Sequence, residues 1–443
     1  MKLKRLSFLL AALCGLANVA QGADLLDTVQ AAKANDPLLA AARAAQQAGL
    51  EKLPQGRALL LPGISFNANS TYNEVNTQYH PAMPLLASGE SRYNSHGYGV
   101  NLTQPLYHPQ SWVIYSQAEL QVAQTEVQFK IALQDVMLRA AQAYFDVLIA
   151  QDSVQLAAAQ KIAIAEQLEQ AKRNFEVGSA TITDTHEAQA RYDLTSAQQI
   201  AVQNDLEIKI SALQQLINAE PKELKHLGTA FKLEPPLPAD LAKWLDEAQL
   251  HSLQLAIAQL GADIAEKEVE RNRGGHYPTA DLVANYSSNQ STGGNFGVGT
   301  DSNSKSLGVQ LNIPIYQGGA VNSRLREALA NQERARQELE NSRRSVAHQT
   351  RQAYLGVVSG VAQVKALQQA LTSSTSALDA SKLGQEVGVR TNIDVLNAQQ
   401  QFFATRRDLY QAEYNYLFSQ LRLKAAVGTL SEADLQKVNQ SFY

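Results

Sequence analysis

The side chains best able to do chemistry fall in two short stretches of one design. The first reads Glu176-Val177-Gly178-Ser179-Ala180-Thr181-Ile182-Thr183-Asp184, and the second Glu386-Val387-Gly388-Val389-Arg390-Thr391-Asn392-Ile393-Asp394. Glu187 and Asn397 follow the two aspartates at the same spacing. Carboxylates gathered at a turn can bind cations, fork onto an arginine such as Arg390, or cap a helix. Asp184 with Glu187 fits an N-cap and capping box, and Asp394 fits a first helical turn. A capping role and a binding role therefore compete for the same residues.

Catalytic chemistry finds little support. The eight histidines, at 80, 96, 108, 186, 226, 251, 276 and 348, form no His-x-x-x-His pair, and Cys14 is the one cysteine. That pattern predicts no metal site and no cofactor. There is no Gly-x-Ser-x-Gly elbow. Gly293-Gly294-Asn295-Phe296-Gly297-Val298-Gly299 is glycine-rich, but it lies in a hairpin loop with no helix after it to bind phosphate. An enzyme is the weakest reading.

One gap-free offset of 210 residues carries Gly178 onto Gly388 and Asp184 onto Asp394. The same offset relates Gln142-Ala143-Tyr144 to Gln352-Ala353-Tyr354 and Ala188-Gln189 to Ala398-Gln399. Two halves are thus built to one plan. In each, a glycine closes one helix and Thr, Asn or Asp opens the next, which predicts a helix–turn–helix tip. The outgoing leg at 109–177 has no interior Pro or Gly, so its roughly 68 residues reach on the order of 100 Å. Leu133, Met137, Ala140, Tyr144, Val147, Gln151, Val154, Ala158, Lys161, Ala165 and Leu168 step by alternating four and three, a heptad seam. The return legs, at 184–217 and 394–427, are about half as long at the same rise. Helices at 37–52 and 253–271 are expected to stack on them end to end.

Between the helices the period changes to two. Ile64, Phe66, Ala68, Ser70 and Tyr72 alternate with polar neighbours, as do Tyr98, Val100 and Leu102. The second half repeats this with Ala280, Leu282, Ala284 and Tyr286, then Leu307, Val309, Leu311, Ile313 and Ile315. Each strand has about 10 residues, enough for a tilted barrel strand to cross a bilayer. Tyr72, Tyr98, Tyr107, Tyr277, Tyr286 and Tyr316 are expected near strand ends, where aromatic girdles lie. Two hairpins in a soluble sandwich are the alternative.

Lys2, Lys4 and Arg5 precede an apolar run at 6–16, and small residues follow at Ala20, Gly22 and Ala23, which reads as a secretory signal peptide. Leu13 before Cys14 argues against a lipid anchor, because acylation signals want a small residue there. Cleavage removes three of the 38 basic residues against 42 acidic ones, leaving a mature charge of −7. That argues against nucleic acid and favours cations along a pore. No later segment has the roughly 18 unbroken apolar residues of a membrane helix.

Four strands cannot close a barrel, and open edges are not tolerated in lipid. Two copies would supply 8 strands and three would supply 12, so closure must come from other chains. Four strands joined to coiled helices with a duplicated tip resemble the TolC-type outer-membrane efflux family over essentially the whole mature chain. Val387-Gly388-Val389-Arg390-Thr391 with Asp394, then Asn397-Ala398, is the sharpest shared motif. The resemblance implies an α+β membrane protein: a homotrimer whose 12-stranded β-barrel continues into a periplasmic α-helical coiled tunnel, with two repeats per chain. It implies an outer-membrane exit duct of a Gram-negative bacterium for efflux or type I secretion. Its partners would be outer-membrane lipid, a periplasmic adaptor and an inner-membrane pump of RND, ABC or MFS type.

Residue by residue, the resemblance makes Asp394 a carboxylate of the pore constriction. Asn397 stands where the family has a second aspartate, and Glu187 occupies the equivalent place in the first repeat. Asp184, Glu187 and Asp394 would supply nine carboxylates in a trimer. Arg390 matches a tip arginine paired with the acidic residue at Asp184, beside Thr183, and Gln385 replaces a tip tyrosine. Gly178 and Gly388 are the repeat turns. The expected division is a signal at 1–23, a first repeat at 24–225 (strands about 62–74 and 97–107, tip about 177–186) and a linker at 226–250. A second repeat follows at 251–430 (strands about 278–288 and 305–316, tip about 387–396), then a tail at 431–443. A passive porin and a structural coiled-coil surface protein are the rival functions.

Overall fold

The computed structural model describes residues 24–78, 80, 89–221, 223–228, 232–294 and 298–442. The expected export segment with Cys14, residues 295–297 of the glycine-rich loop and Tyr443 lie outside them. In chain order the elements are α1 (Leu25–Asn35), α2 (Pro37–Leu50), α3 (Lys52–Ala58), β1 (Gly63–Thr77), β2 (Gly89–Tyr107), α4 (Pro109–Glu176) and α5 (Ile182–Ile217). The second half continues with α6 (Leu241–His251), α7 (Leu253–Arg273), β3 (Thr279–Ser291), β4 (Thr300–Asn312), α8 (Ala320–Glu386), α9 (Asn392–Val427) and α10 (Glu432–Asn439). The outgoing legs α4 and α8 have 68 and 67 residues, and the return legs α5 and α9 have 36 each. No described helix is long and apolar enough to cross a membrane.

The chain forms two compact units, and each draws on both repeats. One comprises residues 45–127 and 256–341 and holds the sheet. Its strands lie in the order β1-β2-β3-β4, all neighbours antiparallel, so β1 and β4 are edges. The period-two pattern sorts cleanly across this sheet. Ile64 pairs with Leu102, Leu102 with Ala284, and Ala284 with Leu307. On this face Ile64, Phe66 and Leu307 are 69%, 67% and 74% exposed and Leu102 and Ala284 half-buried, a continuous apolar surface that no described helix packs over. The opposite face is largely polar and carries the charged Asp281 near one end. There Asn101 donates to Asn67 at 3.0 Å, and Asn285 donates to Asn101.

The strands are longer than expected, at 15, 19, 13 and 13 residues. The surplus in β1 and β2 lies beyond the apolar band, where polar residues on both faces erase the alternation that marks a strand in sequence. Tyr98 and Tyr286 consequently sit inside the strands, with ring centroids 6.3 Å apart, rather than at their ends. They still border the apolar band. β4 stops at Asn312, and Ile313, Ile315 and Tyr316 follow it as exposed chain.

The other unit comprises the described residues within 24–44, 128–255 and 342–442. Its core forms where the heptad seam of α4 presents Met137, Ala140, Tyr144 and Val147, all buried, to residues of α5, α9 and α10. Phe145 stacks on Phe442 at 6.0 Å and meets Phe418 edge-on at 6.5 Å. The expected tail is therefore structural: α10 buries Leu435 and Val438, and Asn439 accepts from the Leu25 N–H at 3.0 Å. The repeated tyrosines share one task. Tyr144 donates to the Lys225 carbonyl at 3.0 Å and Tyr354 to the Ala239 carbonyl at 2.8 Å, so each pins a segment joining the halves.

The repeat also fixes where the return legs stop. Asn218 and Gly428, 210 residues apart, are left-handed caps with φ of 52° and 87°. A Cβ on Gly428 would lie 2.2 Å from the His251 carbonyl oxygen, so α9 ends against the junction of α6 and α7.

Beside this core lies a cluster of acids that sequence reading did not single out. Tyr414 donates to Asp152 Oδ2 at 2.9 Å, and His226 Nδ1 lies 3.5 Å from Oδ1. Burial pushes Asp152 above the ordinary aspartate range against these contacts. Burial likewise pushes Glu413 up to about 7; a hydrogen bond with Gln368 opposes the shift and the Asp152 charge adds to it.

Two stability tests follow from this core. Phe145→Ala should cost about 3–5 kcal/mol, whereas Tyr354→Phe, which loses one hydrogen bond, should cost about 1 kcal/mol. Thermal unfolding by circular dichroism reads the order, and equal midpoints contradict the placement of Phe145. Because the folded pKa of Glu413 lies above its ordinary value of 4.5, its contribution is full below 4.5 and lost as pH rises through about 7. Glu413→Gln is expected to raise the midpoint at pH 8 relative to the native protein and to leave it unchanged at pH 4; the reverse pattern refutes the buried acid.

Candidate functional site

The two tips are built by the same backbone bonds. After α4, the Gly178 N–H reaches the Phe175 carbonyl at 3.0 Å and the Ser179 N–H reaches that of Asn174 at 2.8 Å. After α8, the Gly388 N–H reaches Gln385 at 3.1 Å and the Val389 N–H reaches Gly384 at 2.9 Å, each bond shifted by 210 residues. Gly178 and Gly388 have φ of 75° and 77°, and a Cβ on either would meet nothing within 4 Å. The turn conformation alone, not crowding, therefore demands glycine at both. Val177, Val387 and Val389 stand 78%, 65% and 76% exposed at the turns.

The cap of α5 lies three residues before the expected one, while Asp394 sits in the first turn of α9 as expected. Thr181, not Asp184, is the N-cap of α5, and Asp184 is its N3 partner; Thr391 and Asp394 repeat this on α9. Asp394 Oδ2 accepts from the Thr391 N–H and hydroxyl, both at 2.9 Å. Asp184 Oδ2 accepts from the Thr181 N–H at 2.9 Å and hydroxyl at 2.8 Å. The signal was present twice in sequence, as Thr three residues before each Asp. Capping engages only Oδ2 of each carboxylate, so structural and electrostatic roles are compatible in one side chain. The Thr391 N–H and hydroxyl, and then the Arg390 charge, hold the Asp394 carboxyl below the ordinary aspartate range.

Within one chain Arg390 lies beside Asp394, Nη1 to Oδ1 at 3.9 Å, and is not brought to Asp184. Its stem runs over Gly384, where a Cβ would lie 2.6 Å from Arg390 Cγ. Gln385 donates to Asn392 at 3.3 Å. Thr183 is exposed, and Glu187 makes no ion pair among the described residues. Asn397 is not a bare polar group: it accepts from Arg191 of α5 at 2.9 Å, and Gln400 accepts from the same guanidinium. Arg191 was not singled out in sequence, because its partners lie about two hundred residues away.

Away from the tips, a cavity of about 470 Å³ is lined by Gln134, Asp135, Gln349, Gln352 and Arg422 among others, without a histidine. Among the described residues no group of three or more His, Cys, Asp or Glu side chains is arranged to hold a metal ion.

Comparisons with known proteins agree with this architecture. A family model described as outer membrane efflux protein matches residues 28–219 and 244–429. The outer membrane protein TolC of Vibrio cholerae serotype O1 is 34% identical over 434 residues, spanning 98% of this chain and 97% of that one. The alkaline protease secretion protein AprF of Pseudomonas aeruginosa is 32% identical over 422 residues, spanning 94% and 87%. The solved outer membrane protein VceC of Vibrio cholerae shares the fold with a TM-score of 0.78 at 18% identity, over 91% of this chain and 96% of that one. With two model matches covering most of its length and near full-length relatives above 30% identity, the chain belongs to the outer membrane efflux protein family.

Proposed function

We propose that the two tip turns are the gate of an outer-membrane exit duct, formed by three copies of this chain, for efflux and type I secretion. The observation that carries this reading is one sheet with an uncovered apolar face, in the same chain as two acid-bearing helix tips related by a single offset. Three sheets close a 12-stranded barrel whose apolar face meets outer-membrane lipid. The helices continue it as a periplasmic tunnel. A relative named for protease secretion supports a polypeptide cargo beside small efflux substrates. An inner-membrane pump of RND, ABC or MFS type supplies the energy through a periplasmic adaptor, and the uncovered valines at the turns suit a docking partner. The relatives are channels, and the chain itself carries out no reaction. The two repeats of the proposed division rest on the 210-residue offset, and its signal on the basic residues and apolar run at 2–16.

In the closed duct Asp394 and Asp184, with Glu187 and Asn397, line the constriction. Arg390 reaches the free Asp184 Oδ1 and Thr183 of the next copy, with Gln385 bracing the turn through Asn392. An exposed ion pair of this kind contributes about 0.2–1 kcal/mol, so three of them hold a gate that a partner can open. A passive porin would have no use for a latch, and a surface coiled coil would have no use for the lipid-suited band.

Two outcomes test the gate in planar bilayers. Arg390→Ala is expected to raise the resting single-channel conductance of the purified protein; a value equal to the native one counts against the latch. Divalent cations added from the tip side are expected to block the native channel, with block weakened in Asp394→Ala. The lowered Asp394 pKa keeps its charge, and hence the block, intact between pH 7 and 5, with loss only as pH falls below the ordinary 3.8. Block that disappears by pH 5 contradicts the role of Asp394.

A further inference from the structure

Arg191 sits on α5 two helical turns beyond Asp184, and it spends its charge in an unexpected way. Nη2 donates to Asn397 Oδ1 at 2.9 Å, and Nη1 donates to Gln400 Oε1. Those acceptors are three residues apart on α9, hence on one face of that helix. Both are neutral amides, and Arg191 makes no ion pair among the described residues. A carboxylate is nevertheless at hand. Glu187 lies four residues earlier on the same helix, in the order that favours an acid–base pair, and it makes no ion pair among the described residues. The fold leaves that same-helix pair unmade and uses the guanidinium to cross between repeats. The second repeat offers no counterpart, because the residue equivalent to Arg191 is Gln401, which bonds Thr405 on its own helix at 3.2 Å.

We propose that Arg191 is a positioning residue of the gate: it ties α5 to α9 inside each chain, and Glu187 receives it when those helices part. The proposal rests on the gate reading above. It gives one guanidinium two discrete partners, neutral ones across the helix pair and a charged one along its own helix. It also gives Asn397 a task, since a neutral amide accepts from Arg191 without locking it as a carboxylate would.

Single-channel recording of the purified protein tests the tie. Arg191→Ala is expected to raise the open fraction about twofold or more, with Arg191→Lys intermediate because it lacks the fork. Gln400→Glu, which charges one acceptor, is expected to lengthen closed dwells by a similar factor. Glu187→Gln is expected to shorten open dwells, an effect that a merely structural Arg191 does not produce. Gln189→Ala, which removes a bond confined to α5, serves as the control and should match the native protein. An unchanged open fraction in Arg191→Ala, with a raised one in Arg390→Ala, overturns the tie and leaves the gate standing. No change in either variant overturns both.

Discussion

A backbone N–H or C=O left unpaired in hydrocarbon costs several kcal/mol, and in this chain β1 and β4 each present a row of them along an exposed edge. No other strand of the described chain is available to cover either edge, while the apolar face between them suits lipid. The only arrangement that satisfies both conditions is closure by further copies of the same sheet. From that requirement follow the oligomer and the central duct, which the proposed gate would seal. The long helices and their turns are where such a seal can be built without touching the bilayer.

Duplication answers the sealing problem economically. Each repeat supplies one outgoing helix, one glycine turn and one capped return helix, and the same hydrogen bonds recur 210 residues apart at both turns. The repeats differ where the chemistry differs: Arg390 has Ala180 as its counterpart, Asn397 has Glu187, and Arg191 has Gln401. Identical backbones therefore carry unequal side chains. The core near the joint between halves follows the same logic, with Tyr144 and Tyr354 pinning two different stretches of the joining segment.

Much of this was legible in sequence wherever the signal was periodic or local. The offset located both turns, the absence of Pro and Gly fixed α4, and alternation found the apolar band of each strand, although in β4 it ran past the strand's end at Asn312 to Ile315. What escaped lacked such a signal. The outer ends of β1 and β2 are polar on both faces, so nothing distinguished them from loop. α10 is eight residues long with two buried side chains, too short to show a helical period. The cap of α5 was misplaced by three residues because Asp184 and Glu187 imitate the Thr181–Asp184 pair, whereas Asp394 does lie in the first turn of α9. Arg191 and the Asp152–Glu413 cluster depend on contacts between distant segments, which only the folded chain brings together.

An acidic constriction that closes the duct must leave a mark on ion selectivity. The most direct test is the reversal potential of single native channels under a tenfold potassium chloride gradient. A small conductance with clear preference for potassium is the predicted result. A large conductance without ion preference, or one selective for chloride, would contradict the account.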